Sequence, residues 1–222
     1  MLISYSHRFL FAHIPKTAGC SLRETLDPYV SDPKRYAVNR LLERVGIRVN
    51  HLIGPPEWKR FRLHEEMRTV HRVLPAPVFA SLFKFAFVRN PWDLLVSRYH
   101  YLLRQPRHRQ HARVKRMTGF GEYARWHAAR TNETQLRRIA DRNGRLLVDF
   151  VGRFESLHDD FAEVQRRIGL QPAAIPHENQ SARNDYRTYY DDATAEFVAE
   201  RWRADVERFD YRFDAPGGCK AA

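Results

Sequence analysis

Lys16, Thr17, Ala18, Gly19, Cys20 and Ser21 follow directly on a short apolar run, Phe9-Leu10-Phe11-Ala12-His13-Ile14, and a single proline, Pro15, separates the two. That order spells strand, loop, helix. Small residues at Thr17, Ala18 and Gly19 let backbone N–H groups turn inward on an anion, and the helix that follows adds the positive end of its dipole. Lys16 supplies a cation for a bridging or terminal oxygen, and Thr17 and Ser21 supply hydroxyl donors. The loop is not the nucleotide-triphosphate loop G-x-x-x-x-G-K-[ST], because the lysine precedes the glycine, no second glycine stands upstream, and no magnesium-holding serine follows in the required way. A tight strand-to-helix turn with a surface lysine would use the same residues without a ligand.

A second constellation has the same grammar. Phe85-Ala86-Phe87-Val88 leads into Arg89-Asn90-Pro91-Trp92-Asp93, and Ser97 stands two helical turns beyond Arg89. An arginine with a serine hydroxyl makes a phosphate clamp. The competing use of these residues is an arginine paired with Asp93 and a serine packed against another helix. If the two strands are neighbours, the two sites call for one ligand with two separated anionic groups.

Behind these residues stand the elements that must hold them. Phe9–Ile14 and Phe83–Val88 read as buried strands. Ser21–Leu26 reads as a helix stopped near Pro28, residues 57–73 as a helix ending before Pro75, and 92–103 as a helix with Pro91 in its first turn. Residues 104–116 read as a basic loop or frayed helix end, and 120–129 as a short helix. Asn143-Gly144 signals a hairpin between 135–140 and 146–150, with its turn beginning at Asp141. Residues 155–168 read as an amphipathic helix stopped by Gly169, and 194–206 as another. Strands that feed helices through tight loops imply a parallel sheet with right-handed crossovers, which binds ligands at the carboxyl ends of its strands. One domain over residues 1–215, followed by a disordered tail at 216–222, is the simplest organisation.

Composition narrows the class. The 222 residues are 43% hydrophobic and 29% charged, which suits a folded, water-soluble protein. No apolar run approaches the roughly 18 residues of a membrane span, and residues 1–14 lack the pattern of a signal peptide, so the expected location is cytoplasmic. The two cysteines, Cys20 and Cys219, make neither a disulfide framework nor a zinc spacing. His108 and His111 sit among arginines, which disfavour a metal cation, so no metal is expected. A net charge of +12 attracts polyanions but does not choose among a nucleotide, an acidic glycan, a nucleic acid and a membrane surface.

The residues above resemble the carbohydrate sulfotransferase family, bacterial in type and related to the heparan and chondroitin sulfotransferases. His13-Ile14-Pro15-Lys16-Thr17-Ala18-Gly19 is similar to that family's 5'-phosphosulfate loop, and Phe83–Asp93 through Ser97-Arg98-Tyr99 is similar to its 3'-phosphate segment. Asp149–Glu155 with Leu157, Asp160 and Phe161 resembles a third block. Pro176–Ser181 with Tyr186, Tyr189 and Tyr190 resembles a C-terminal one. The resemblance implies a P-loop nucleotide-kinase-like three-layer α/β fold with a central parallel sheet flanked by helices. It also implies 3'-phosphoadenosine 5'-phosphosulfate (PAPS) as donor, PAP as product, and a hydroxyl acceptor, expected on a glycan. PAPS has the two-ended shape that the two anion sites call for. Lys16, Thr17, Ala18, Gly19, Cys20 and Ser21 would hold the 5' end, Arg89 and Ser97 the 3'-phosphate, and Ser181 and Arg183 would close over the nucleotide. Relatives commonly carry threonine where this chain has Cys20, and a thiol is a poor donor.

Sulfuryl transfer needs in-line geometry, charge stabilisation on the departing oxygen and a base for the acceptor proton. Lys16 is the expected leaving-group partner. Among 11 histidines, His64 is the expected base, because relatives open the equivalent segment with a histidine at matching spacing. Glu65 and Glu66 are the carboxylate alternatives, and His13 and His100 are expected to be structural. The rival readings are a P-loop kinase or NTPase, a basic nucleic-acid-binding module supported by residues 104–116, and a PAPS binder without transfer activity.

Overall fold

Unbroken apolar runs make strands that are covered on both faces. In the computed structural model, which describes residues 1–173, 175 and 184–214, the two apolar runs are strands. The elements are β1 (Leu2–Ser4), β2 (Phe9–Ala12), α1 (Gly19–Leu26), α2 (Ala37–Arg44), α3 (Met67–Val73), α4 (Ala76–Ser81), β3 (Phe83–Val88), α5 (Pro91–Arg104), α6 (His111–Lys115), α7 (Phe120–Arg130), α8 (Gln135–Ile139), β4 (Phe150–Arg153), α9 (Leu157–Arg167), α10 (Asp192–Arg201) and α11 (Arg203–Arg208). The chain divides into two compact units, one from residues 1–88 with the described part of 137–178, the other from 89–136 with the described part of 179–214.

The first unit is a mixed α/β layer structure. Its sheet has the order β1-β2-β3-β4. β2 and β3 are parallel neighbours, Phe9 opposite Phe83 and Ala12 opposite Ala86, and β4 continues the parallel set with Val88 opposite Arg153. β1 is an antiparallel edge strand that the sequence reading missed; three residues are too few to show a period. Phe9, Phe11, Phe85 and Phe87 are fully buried against Leu22 and Leu26 of α1 and Phe161 and Val164 of α9. Burying each such side chain is worth about 1.5–3 kcal/mol. Phe87 lies where a Cβ on Gly152 would stand, 2.4 Å from its nearest ring carbon, so β4 needs glycine there. Lys84, the one charged residue in β3, is buried with Nζ 2.8 Å from Asp149 and over the Phe79 ring of α4.

Several boundaries differ from expectation. Residues 57–73 are not one helix: only α3 is helical, after a short 3-10 turn at Pro56–Trp58. Asn50 and Arg60 exchange two backbone hydrogen bonds of 2.9 Å, which close a loop that contains this turn. The hairpin turn is present, with Asp141 Oδ1 accepting from Asn143 N and Arg145 N, and Ala140 bridges Leu146. Its first arm, however, is helix α8, and β4 starts only at Phe150. Residues 104–116 contain α6, and 194–206 form two helices that break at Trp202, whose Nε1 donates to Glu133 O at 3.1 Å.

The second unit is helical. Asn90 caps α5 by accepting from Trp92 N (3.0 Å) and Asp93 N (3.4 Å), with Pro91 as first helical residue. Trp92 Nε1 donates to Ala195 O of α10 at 2.9 Å, and Tyr190 OH donates to Trp92 O at 2.9 Å, which anchors the start of α5. Among the described residues no helix is long and apolar enough to cross a membrane.

Candidate active site

The loop between β2 and α1 is built for a tight reversal. Lys16 (φ 70°) and Ala18 (φ 59°) both adopt the left-handed conformation, which non-glycine residues occupy at a cost. Strain of that kind persists where the surroundings hold it. Thr17 is fully buried and its Oγ1 donates to Ile14 O at 2.9 Å, so its hydroxyl proton closes the loop rather than pointing outward. Among the described residues no side chain caps α1, and its first turn has no acidic residue, so the first-turn N–H groups and the helix dipole present a positive end. Ser21 is buried in that turn and Cys20 is exposed.

Two histidines stand beside this loop. His13, the residue after β2, stacks on Phe11 and meets His64 edge to face, with ring centroids 4.6 Å apart. The His13 carbonyl oxygen lies 3.1 Å from His64 Nδ1. A carbonyl only accepts, so Nδ1 carries the proton and the neutral His64 ring has its basic lone pair on Nε2. Arg138 Nη1 donates to the His64 carbonyl at 2.8 Å, a second tie on the same residue. Burial pushes His13 down to about 3, helped by His64 and the nearby cations Arg23 and Arg138, so its ring is neutral at working pH. Among the described residues, His13 Nδ1 is buried with no hydrogen-bond partner.

Gly19 touches this pair. A Cβ there would stand 1.8 Å from His13 Nε2 and 2.0 Å from Cδ2. Gly19→Ala is expected to push the His13 ring aside and cost about 1–3 kcal/mol, lowering the melting temperature by roughly 2–4 °C for each kcal/mol in a chain of this size. Thermal denaturation checks this, and an unchanged melting temperature would contradict the packing. Combining it with His13→Ala should cost less than the sum of the two single changes.

Both carboxylate alternatives already have partners. Glu66 binds Arg68 at 2.5 Å and Arg137 at 3.4 Å. Burial works to raise its carboxyl, but the Arg68 hydrogen bond and the two guanidinium charges hold it below its ordinary value. Glu65 accepts from Arg62 N at 3.2 Å and lies 3.7 Å from His51.

In the second unit, Arg89 is buried and held at its side chain and its backbone. Its Nε and Nη2 lie 2.8 Å and 2.7 Å from Asp93 Oδ2, so the pairing weighed from the sequence is present. Gln135 clamps its backbone, accepting from Arg89 N at 2.8 Å and donating to Arg89 O at 2.7 Å. Asp205 fixes the start of α8 by accepting from Gln135 N and Leu136 N, both at 2.8 Å. Burial raises the Asp205 carboxyl to about 6 against these N–H bonds. Ser97 is buried on α5. His100, on α5, has its Nε2 2.8 Å from Tyr189 OH. Ser181 and Arg183 lie outside the described residues. Arg138, Gln135 and Asp205 were not found from sequence; they act from 46 to 74 positions away, and no local pattern marks them.

The family described as Sulfotransferase family matches residues 1–212. The chain belongs to the sulfotransferase family. This sulfotransferase is 32% identical over 112 residues to an uncharacterized protein of Archaeoglobus fulgidus, covering 50% of this chain and 87% of that one. Its fold is similar to the crystal structure of mouse sulfotransferase SULT7A1 complexed with PAP, with a TM-score of 0.51, 13% sequence identity, and coverage of 94% of this chain and 87% of the mouse chain. The sulfotransferase is therefore a sulfuryl-transfer enzyme with a four-stranded α/β sheet flanked by helices. Among the described residues no group of three or more His, Cys, Asp or Glu is placed to hold a metal ion.

Proposed function

We propose that this sulfotransferase is a cytoplasmic enzyme that takes PAPS as donor and sulfates a hydroxyl on a carbohydrate, with residues 1–215 acting as one catalytic domain. The observation that carries the reading is the loop at Lys16–Ser21, left-handed at Lys16 and Ala18 and opening on an uncapped, acid-free helix start with the His13–His64 pair beside it. PAPS supplies an activated sulfuryl group. The backbone of Thr17–Ser21 binds the 5' anion and Lys16 neutralises the charge on the departing oxygen. His64 takes the acceptor proton at Nε2. Arg89, with its plane set by Asp93 and its backbone by Gln135, binds the 3'-phosphate with Ser97; Ser181 and Arg183 cover the nucleotide.

Ligand-induced thermal stabilisation tests this reading. PAP at a hundred times its dissociation constant is expected to stabilise the protein by about 2.7 kcal/mol, a rise of roughly 5–10 °C in melting temperature. Labelled PAPS should transfer its sulfate to members of a glycan panel. Stabilisation by ATP–Mg²⁺ but not by PAP would overturn the donor assignment, and transfer only to non-sugar hydroxyls would overturn the acceptor class.

A further inference from the structure

Residues 37–60 are built inside out. The two buried positions are asparagines, while five of the eight Val, Leu and Ile side chains are exposed and Val38, Leu42 and Val49 are half-buried. Asn39 of α2, wholly buried, donates to Pro33 O (2.7 Å) and Trp58 O (2.8 Å). Asn50 donates to Asn39 Oδ1 and Ile53 O, both at 3.0 Å, and accepts from Ile53 N. Gly54 (φ 79°) lies flat on Trp58, where a Cβ would stand 2.1 Å from the indole. This polar pin holds the loop in one shape. Outside it stand Leu41 (61% exposed), Val45 (67%), Ile47, Leu52 (91%) and Ile53. Scattered exposed aliphatics are ordinary, but five on one helix and its adjoining loop, presented by a dedicated buried network, are not.

Charge selects the occupant. Between residues 34 and 48 there are five basic residues, Lys34, Arg35, Arg40, Arg44 and Arg48, and one acidic residue, Glu43. Glu43 is engaged by Arg60 at 3.2 Å. Leu41 of α2 and Val45, which caps its end, are one turn apart, and so are Arg40 and Arg44 beside them. A second copy of the chain docked by twofold symmetry would bring the same arginines together. An anionic lipid surface meets both features at once, taking the aliphatic side chains into its headgroup boundary and the arginines onto its phosphates.

We infer that α2 and the loop to Ile53 form a docking surface for an anionic membrane. Binding is peripheral and reversible, and it brings the enzyme to acceptors displayed at such a surface.

Co-sedimentation of the full chain with vesicles tests this. The protein is expected to pellet with phosphatidylcholine–phosphatidylserine vesicles, less so at high salt, and not with phosphatidylcholine alone. Each cation at an anionic surface strengthens partitioning about fivefold, so Arg40→Gln/Arg44→Gln/Arg48→Gln should weaken binding about 100-fold. Leu52→Ser, at a solvent-facing position, should weaken it about tenfold or more with an unchanged melting temperature. Arg107→Gln/Arg109→Gln/Arg116→Gln, which removes equal charge elsewhere, should leave binding nearly unchanged. Failure of the unaltered protein to pellet with the anionic vesicles overturns the inference. So does an equal loss from both triple variants, which would mean bulk charge alone. A concentration-dependent dimer by sedimentation velocity that Leu52→Ser dissociates would assign the face to a second copy instead.

Discussion

Alanine at position 64 is expected to lower kcat by about 10²–10⁴-fold while PAP stabilises the variant as it does the parent protein. The expectation rests on tautomer rather than on histidine as such. The His13 carbonyl fixes the proton on His64 Nδ1, and Arg138 holds the His64 backbone, so the basic nitrogen is Nε2 in a ring whose orientation is set from two sides. On the proposed roles, His64→Ala removes the base and leaves the loop of Lys16 intact, so binding and turnover should separate. Glu66→Gln is the companion measurement. A carboxylate held ionised by Arg68 and Arg137 is a weak proton acceptor, and its loss should change kcat by less than about tenfold. Wild-type turnover by His64→Ala, or a larger loss in Glu66→Gln than in His64→Ala, would move the base away from His64.

What the chain disclosed on its own divides along one line. Features written in contiguous residues were legible. Phe9–Ala12 announces itself as an unbroken apolar run and Phe83–Val88 as one broken only by Lys84, Asn90-Pro91 announces the start of α5, and Gly169 (φ 75°) announces the stop after α9. Features created by distant partners were not. The segment 135–139 looks like a hairpin arm, yet it is helical because Asp205 supplies a cap from 70 residues away. Residues 59–66 carry a helical pattern that the Asn50–Arg60 bridge overrides. The same division holds at the site. Lys16, Gly19, Arg89 and Ser97 stand out as candidates by type and spacing, and the Arg89–Asp93 pair, weighed as their alternative use, is present in the structure. The contact of His13 with Gly19, the tautomer of His64 and the Gln135 clamp on Arg89 exist only in three dimensions. Thr17 shows the limit of reading by residue type. Its hydroxyl was assigned to the anion, but burial and the Ile14 carbonyl commit its proton to the loop.

Lys16 allows binding, stability and turnover to be pulled apart. Its backbone is left-handed (φ 70°), a conformation that costs a residue with a Cβ about 1–2 kcal/mol and costs glycine almost nothing. If the position existed only to turn the chain, glycine would serve better, and the proposed role gives the Lys16 side chain a use that offsets its backbone. Lys16→Gly is therefore expected to keep its stability within about 1 kcal/mol of the parent, since relief of strain opposes the greater freedom of the unfolded chain. Its kcat is expected to fall about 10²–10³-fold, the usual loss when a preorganised partner of a developing charge is removed. Lys16→Ala loses the same charge and keeps the strained turn, so the two variants should be equally slow and Lys16→Ala the less stable. Lys16→Arg keeps the charge on a bulkier head and should recover part of the rate. Kinetics and thermal denaturation on the same three proteins decide the matter. Near-normal turnover by Lys16→Gly would return Lys16 to a structural turn residue and leave charge stabilisation to the N–H groups at the start of α1.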